Sequence, residues 1–106
     1  MKDCVFCKII NKEIPTKFVH KDEDIFVFHD IHPKAPTHLL IVPRPHINTF
    51  LDLGDNHFSL LTKIIKVVQR LVRDKKLESG YQVVINGGRH QEIDHLHFHL
   101  LADQSS

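Results

Sequence analysis

Three histidines at alternate positions near the C-terminal end of the sequence are the residues best suited to chemistry. His95, His97 and His99 occupy the stretch HLHFH, with apolar residues between them. Because side chains along an extended strand point alternately to two faces, we expect the three imidazoles to share one face. Such a cluster can ligate zinc, or one imidazole can act as a nucleophile while its neighbours fix its tautomer and bind an anionic substrate. The spacing alone leaves both interpretations open.

The residues around this cluster favour chemistry at phosphorus. A phosphoryl group under attack needs hydrogen-bond donors for its oxygens, where the transition-state charge is concentrated. The upstream segment NGGRHQE offers the amides of Asn86 and Gln91, and its two glycines let the backbone approach an anion closely. Asp30 offers a carboxylate that could accept two hydroxyls, as from a ribose, although by itself it is better explained as a turn residue.

A second set of candidate ligands lies near the N-terminus. Cys4 and Cys7 have the spacing of half a structural zinc site. The segment MKDCVFCKII lacks the apolar core and cleavage site of a signal peptide, so we expect a cytoplasmic protein. In that compartment thiols stay reduced, which makes a bound metal or two free thiols a better explanation than a disulfide.

The composition predicts one globular domain over residues 1–106, with 42% hydrophobic and 25% charged residues. The formal net charge of +1 gives no reason to expect nucleic acid as a partner. No apolar run approaches the roughly 18 residues of a membrane span, so we expect no membrane association.

The order of elements predicts an α+β fold. Apolar residues at helical spacing from Asp55 to about Lys76 predict one long helix, with Asp55 as its N-cap. A short N-terminal helix must end before Pro15, because the residue preceding a proline disfavours helical geometry. We therefore expect an antiparallel five-stranded sheet with the long helix on one face. The predicted strands are KFVH, DIFVFHD, THLLIVP, YQVVIN and HLHFHLLA, and the apolar stripe of the long helix includes Phe58, Leu61, Ile65, Val68 and Val72.

Several segments in this order resemble a known family. HLHFHLL matches the histidine-triad motif, and the segments FCKII, FHDIHPKAPTH and IVPRPHI resemble the Hint branch of the histidine-triad (HIT) superfamily. The similarity covers nearly the whole chain. It implies a HIT-like fold and a homodimeric nucleotide-binding hydrolase that cleaves nucleoside phosphoramidates or related nucleotidyl conjugates, with an AMP-like purine nucleotide as substrate.

The resemblance also assigns roles to residues by position. His97 would be the nucleophile that forms a nucleotidyl-histidine, His99 would contact the phosphate, and His38 and His95 would support the central ring through hydrogen bonds. The nucleotide would be bound by Asp30 at the ribose, Ile31 beside the base, and Asn86, Gln91 and Glu92 at the phosphate or leaving group.

A structural zinc site is the second implication of the resemblance. Some bacterial histidine-triad proteins pair such cysteines with the histidine after VP and with the first triad histidine. In this sequence the four ligands would be Cys4, Cys7, His46 and His95. The alternative is two free, half-buried thiols.

The sequence departs from the family pattern in the phosphate loop and beside the triad. His90 directly precedes Gln91, so the loop is about two residues shorter than the motif predicts. Asp94 adjoins the triad, and we expect its charge to raise the pKa of the imidazoles. The sequence ends soon after the triad, which predicts loose selectivity for the leaving group. A dinucleoside polyphosphate hydrolase and a non-catalytic nucleotide-binding module therefore remain alternatives.

Overall fold

Five antiparallel strands form the single sheet of the computed structural model, which describes residues 4–104. The strand order is β1-β2-β3-β5-β4, so β3 and β5 lie inside the sheet and β1 and β4 form its edges. This arrangement confirms the predicted α+β fold. The strands are β1 (Phe18–Lys21), β2 (Ile25–His29), β3 (Thr37–Pro43), β4 (Tyr81–Val84) and β5 (Phe98–Ala102).

Helix α2 (Phe58–Asp74) covers one face of the sheet. A 3-10 turn over Asp55–His57 precedes it, and Nδ1 of His57 accepts a hydrogen bond from the Gly54 N–H at 3.0 Å. Asp55 is therefore the first residue of that turn, and its predicted role as the N-cap of the helix is wrong. The core beneath the helix includes Ile25, Val27, Leu39, Ile41, Phe98 and Leu100 from the sheet, Leu96 from the segment before β5, and Ile64, Val67, Val68, Leu71 and Val72 from α2.

Helix α1 (Val5–Ile10) covers part of the opposite face. Cys4 is its N-cap, and the N–H of Cys7 donates to the Cys4 Sγ at 3.2 Å. Because both faces are covered, every residue of β3 is buried, which explains why its sequence is a continuous apolar run. The second core contains Phe6, Ile9, Ile10, Phe26, Phe28, Leu40 and Val42.

The predicted fifth strand begins later than expected. His95 lies in a bend, and the ladder starts only at Phe98, which pairs with Ile41. Two residues further along, this ladder would join Leu96 to Pro43, which has no backbone N–H to donate. The N–H of Leu96 instead donates to the carbonyl of Ile47 at 2.6 Å. The predicted alternation survives, because Leu96, Phe98 and Leu100 all pack in the core under α2.

The apolar stripe of α2 is wider than the sheet that it covers. Phe58 and Ile65 were expected in the core but are 57% and 55% exposed, respectively. Ile65 lines an open pocket of about 420 Å³ that it shares with Val83 and Tyr81 of the edge strand. Among residues 4–104 no helix combines the length and apolarity needed to cross a membrane.

Candidate active site

His97 is held as a neutral imidazole with its outer nitrogen free. Its side chain is 7% exposed, and Nδ1 lies 2.8 Å from the backbone carbonyl of His95. A carbonyl only accepts, so the proton must lie on Nδ1 and Nε2 carries a lone pair. Nε2 of His97 has no hydrogen-bond partner among the described residues. Every buried polar side-chain atom in that part of the chain does have a partner, so Nε2 is not buried. The lone pair of Nε2 is therefore open to solvent and to a substrate.

His38 and His99 form a chain of hydrogen bonds beside His97. The backbone N–H of Lys34 donates to Nδ1 of His38 at 3.1 Å, so the proton of neutral His38 lies on Nε2. That Nε2–H donates to Nδ1 of His99 at 2.8 Å, which leaves the proton of His99 on its own Nε2. The side-chain amide nitrogen of Asn86 lies 3.3 Å from this Nε2, and rotation of the amide lets its oxygen accept the proton. A backbone group thus fixes two imidazole tautomers in series.

Burial keeps these imidazoles uncharged. Burial, together with the nearby His97 and His38, lowers the pKa of His99 to about 4. Burial likewise lowers the pKa of His97, against the opposing effects of its hydrogen bond and of the charges on Asp30 and Glu92. The pKa of His38 is also lowered by burial. At neutral pH the site is therefore a cluster of neutral bases.

The expected effect of Asp94 on the triad is wrong. Asp94 is exposed, and the carboxylates that raise the pKa of His97 are those of Asp30 and Glu92. Their effect is smaller than that of burial, so the pKa falls. An exposed carboxylate acts weakly because water screens its charge.

The expected nucleotide-binding residues occupy different places. Oδ2 of Asp30 lies 3.4 Å from Nε2 of His38, and its other oxygen accepts the His32 N–H at 2.8 Å. Ile31 is 86% exposed at the same end of β2. Asp30 and Asn86 are thus brought to the triad, with Ile31 at its border.

Gln91 is not brought to the triad. Its side-chain amide donates to the carbonyls of Asn48 at 2.7 Å and Ile93 at 2.9 Å, which uses both of its N–H groups. These bonds hold the shortened loop, which makes a 3-10 turn over Gly88–His90. Gly88 opens this turn with a φ of 59°, in the left-handed region that favours glycine.

Cys4, Cys7, His46 and His95 form a compact cluster of metal-ligating side chains, each offering one atom within 4.8 Å of the others. Nδ1 of His95 lies 3.3 Å from the Cys4 Sγ, and Nδ1 of His46 lies 3.1 Å from the Cys7 Sγ. The sequence brings these four residues together from α1, the segment after β3 and the bend before β5. We refer to them as the Cys/His cluster.

The tautomers in the Cys/His cluster are those that a metal requires. Nε2 of His95 donates to the Pro43 carbonyl at 2.8 Å, and Nε2 of His46 faces the Asn48 side-chain oxygen at 2.7 Å. Both protons are thus on Nε2, and both Nδ1 lone pairs point at the thiols. Burial and contact with Cys4 raise the pKa of the Cys7 thiol to about 11, so a metal would have to displace its proton.

A second group, formed by Asp30, His38 and His99, is equally compact but does not fit a metal. The Lys34 N–H occupies Nδ1 of His38, so the proton remains on Nε2, the nitrogen that faces Asp30 and His99. That nitrogen therefore donates hydrogen bonds and has no lone pair for a cation.

Comparisons with known proteins place the chain in a family. A family model described as scavenger mRNA decapping enzyme C-term binding matches residues 3–106. The purine nucleoside phosphoramidase of Escherichia coli (strain K12) is 39% identical over 103 residues, 94% of this chain and 87% of that relative. The chain belongs to the histidine-triad superfamily. This confirms the resemblance found in the sequence.

Two further HIT proteins extend the similarity to nearly full length. Protein HitA of Neisseria gonorrhoeae is 38% identical over 103 residues, 95% of this chain and 96% of that protein. The crystal structure of a HIT family hydrolase from Legionella pneumophila Philadelphia 1 superposes with a TM-score of 0.92 at 42% identity, covering 97% of this chain and 95% of that one. The HIT fold expected from the sequence is confirmed.

Sequence reasoning missed several groups that orient the histidines. They include the Lys34 N–H, the Pro43 carbonyl and the Asn48 side chain. Lys34 and Pro43 lie inside the family segments FHDIHPKAPTH and IVPRPHI, but the motif does not show which backbone groups contact an imidazole. Phe6 is the fourth, with its ring centroid 5.0 Å from that of His97. In the sequence, the feature that could have pointed to Phe6 is its position between Cys4 and Cys7.

Proposed function

We propose that this HIT protein is a nucleotide-binding hydrolase that cleaves nucleoside 5′-phosphoramidates or related nucleotidyl conjugates. The observation that carries the proposal is the bond from the His97 Nδ1–H to the His95 carbonyl, which leaves Nε2 as a free nucleophile. The similarity to a purine nucleoside phosphoramidase supports this substrate class.

In the proposed reaction Nε2 of His97 attacks the α-phosphorus and the P–N bond to the amine breaks. The product is a nucleotidyl-histidine in which the ring holds the phosphoryl group on Nε2 and a proton on Nδ1. This ring carries a positive charge, which the His95 carbonyl stabilises through the existing 2.8 Å contact. Water then attacks phosphorus, the P–Nε2 bond breaks, and neutral His97 is restored.

The departing amine needs a proton, and His99 is placed to give it. Burial keeps His99 neutral in the free protein. A bound anionic phosphate opposes that effect, because an adjacent negative charge favours the protonated imidazole. Protonated His99 gives the proton on Nε2 to the amine and takes one back from the attacking water. In the protonated state Nδ1 of His99 also carries a proton and no longer accepts from His38, whose Nε2–H then has the Asp30 carboxylate, 3.4 Å away, as its acceptor.

The nucleotide would lie along the rim of the triad. Asp30 would accept the ribose hydroxyls, with Ile31 against the base and Asn86 beside the phosphate. Gln91 would act indirectly by holding the loop, since both its N–H groups bind backbone carbonyls. Exposed Glu92 would lie at the leaving-group side, where its charge favours a departing ammonium.

We propose that the Cys/His cluster binds a structural zinc ion. Two thiols and two imidazoles are a common tetrahedral donor set, and both imidazoles present the correct lone pair. The ion would cross-link α1 to the sheet. We expect one zinc per chain in protein purified without chelator. Cys7→Ser should lower that content, whereas Ser59→Ala, a substitution at an exposed position of α2, should not. Metal-free wild-type protein with two titratable thiols would contradict the proposal.

We propose that the chain forms a homodimer through β4 and α2. The edge strand β4 has an unpaired side and exposes Tyr81 and Val83 at 49% and 46%. Ile65 of α2 continues this apolar surface around the 420 Å³ pocket. An exposed edge strand beside a large apolar patch is the arrangement that a second copy covers.

The decisive experiment measures hydrolysis of adenosine 5′-phosphoramidate by the wild-type protein and by His97→Ala. Loss of the nucleophile should lower kcat by about 10³-fold or more while AMP binding persists. His20→Gln is the matched control, because His20 lies on β1, which is separated from β5 by β2 and β3. Equal activity in the wild type and His97→Ala would refute the mechanism. AMP binding without turnover would identify a binding module, and a preference for dinucleoside polyphosphates would identify the alternative hydrolase.

A further inference from the structure

Phe6 lies in the first turn of α1, between the Cys/His cluster and the ring of His97. It is 3% exposed and lies between Cys4 and Cys7 in the chain. Its ring meets His97 edge-on, with centroids 5.0 Å apart and an interplanar angle of 78°. It meets His95 in the same manner at 5.9 Å and 79°. One aromatic ring thus contacts both a cluster histidine and the nucleophile.

His95 provides a second connection between the two sites. Its side chain points Nδ1 at the thiols, whereas its backbone carbonyl accepts the proton of His97 Nδ1. His95 is completely buried and lies in a bend rather than in the β5 ladder. Sheet hydrogen bonds therefore do not hold this carbonyl in place. Its peptide group is anchored instead by the bond from the Leu96 N–H to the Ile47 carbonyl at 2.6 Å and by the contacts of the His95 side chain.

We propose that Phe6 and the His95 carbonyl together position the His97 ring for attack, and that the Cys/His cluster holds both of them. The inference rests on the proposed function for the identity of the nucleophile. The edge of Phe6 fixes the tilt of the ring, and the carbonyl fixes its tautomer. Phe6 is a positioning residue in this account, since it acts through His97.

The arrangement explains why a structural cluster lies beside the catalytic centre. His97 precedes the first residue of β5, so its backbone is outside the ladder. A nucleophile in such a segment needs support from side chains to keep a single orientation. The two thiols flank Phe6 on α1, and His95 lies two residues before His97. Ligation of the cluster therefore fixes both neighbours of the nucleophilic ring.

Phe6→Leu tests the proposal against the matched control Phe26→Leu. Phe26 belongs to the same core and is 1% exposed, but its ring packs against Phe18 and not against an imidazole. With adenosine 5′-phosphoramidate, Phe6→Leu should lower kcat about tenfold with little change in KM, since misplaced reacting groups lose rate. Phe26→Leu should retain kcat within about twofold, because it leaves that alignment intact. A rise in KM alone for Phe6→Leu, or equal losses in both variants, would overturn the positioning role.

A spectroscopic measurement on the unmutated chain needs neither activity nor a variant. Imidazole ¹⁵N shifts of His97 are recorded in zinc-loaded protein and after chelation. We expect a single Nδ1–H tautomer with zinc and a mixture of tautomers without it, restored when zinc alone is returned. Unchanged His97 shifts in protein that demonstrably gained and lost zinc would overturn the link, as would failure of the chain to bind zinc. If the wild type lacks phosphoramidase activity, the proposed function fails, while these shifts still decide the positioning inference.

Discussion

The low pKa of His99 makes stability depend on pH in a direction that can be measured. The ordinary imidazole value is 6.5, and burial together with His97 and His38 lowers the folded-state pKa to about 4. Between these values the unfolded chain binds a proton that the folded chain does not. Folded-state stability is therefore fully present above pH 6.5 and is lost as the pH falls toward 4.

The size of the loss follows from the two pKa values. At pH 5 the linkage amounts to about 2 kcal/mol, and solvent screening of a partly exposed ring reduces it to about 1–2 kcal/mol. His99→Gln removes this titration while leaving a polar side chain next to His38 and Asn86. The wild type should therefore lose about 1–2 kcal/mol more than His99→Gln when the pH drops from about 7.5 to about 5.

Urea unfolding of both proteins at a series of pH values measures this difference. Titrating groups that do not contact His99, including the Cys/His cluster, are common to both proteins, so their contribution cancels in the comparison. Parallel stability curves for the wild type and His99→Gln would refute the reasoning. A wild type that gains stability relative to His99→Gln on acidification would show that His99 is charged in the folded protein.

Two further predictions concern the edge strand and the residue beside the triad. Val83→Lys places a charge on the exposed apolar patch and should convert the proposed dimer into a monomer in sedimentation experiments, whereas Gln82→Lys, on the other face of β4, should do so less. A monomeric wild type would contradict this expectation. Asp94→Asn should leave the pH profile of kcat/KM unchanged, because exposed Asp94 is not among the charges that act on His97. A shift of the pH profile in Asp94→Asn would show instead that the Asp94 carboxylate does raise the pKa of the imidazoles.

The fold could be predicted from the sequence where periodicity was unambiguous. The apolar repeat of α2 and the alternation in HLHFH each admit only one interpretation, and both survive in the structure. The boundary of β5 could not be predicted locally, because it depends on Pro43 lying opposite Leu96 in a different strand. Likewise Ile65 is exposed because the sheet is too narrow to cover it, and the sequence of the helix gives no information about the width of the sheet.

The site could be predicted as a set of side chains but not as a set of tautomers. His97, His99 and His38 meet as expected, and the four members of the Cys/His cluster lie together. Gln91 has the right type and position for a phosphate donor, yet two carbonyls from other segments take its N–H groups. Which ring nitrogen carries a proton depends on such distant backbone groups, and these have no signature in the sequence.

Three imidazoles of the candidate site are oriented by main-chain groups: His38 by the Lys34 N–H, His95 by the Pro43 carbonyl and His97 by the His95 carbonyl. Main-chain groups do not change when a side chain is replaced. Lys34 can therefore be exchanged for any residue except proline without removing its donor. Side chains around the triad can therefore change without altering which ring nitrogens of these histidines carry protons, because that pattern is set by the path of the backbone.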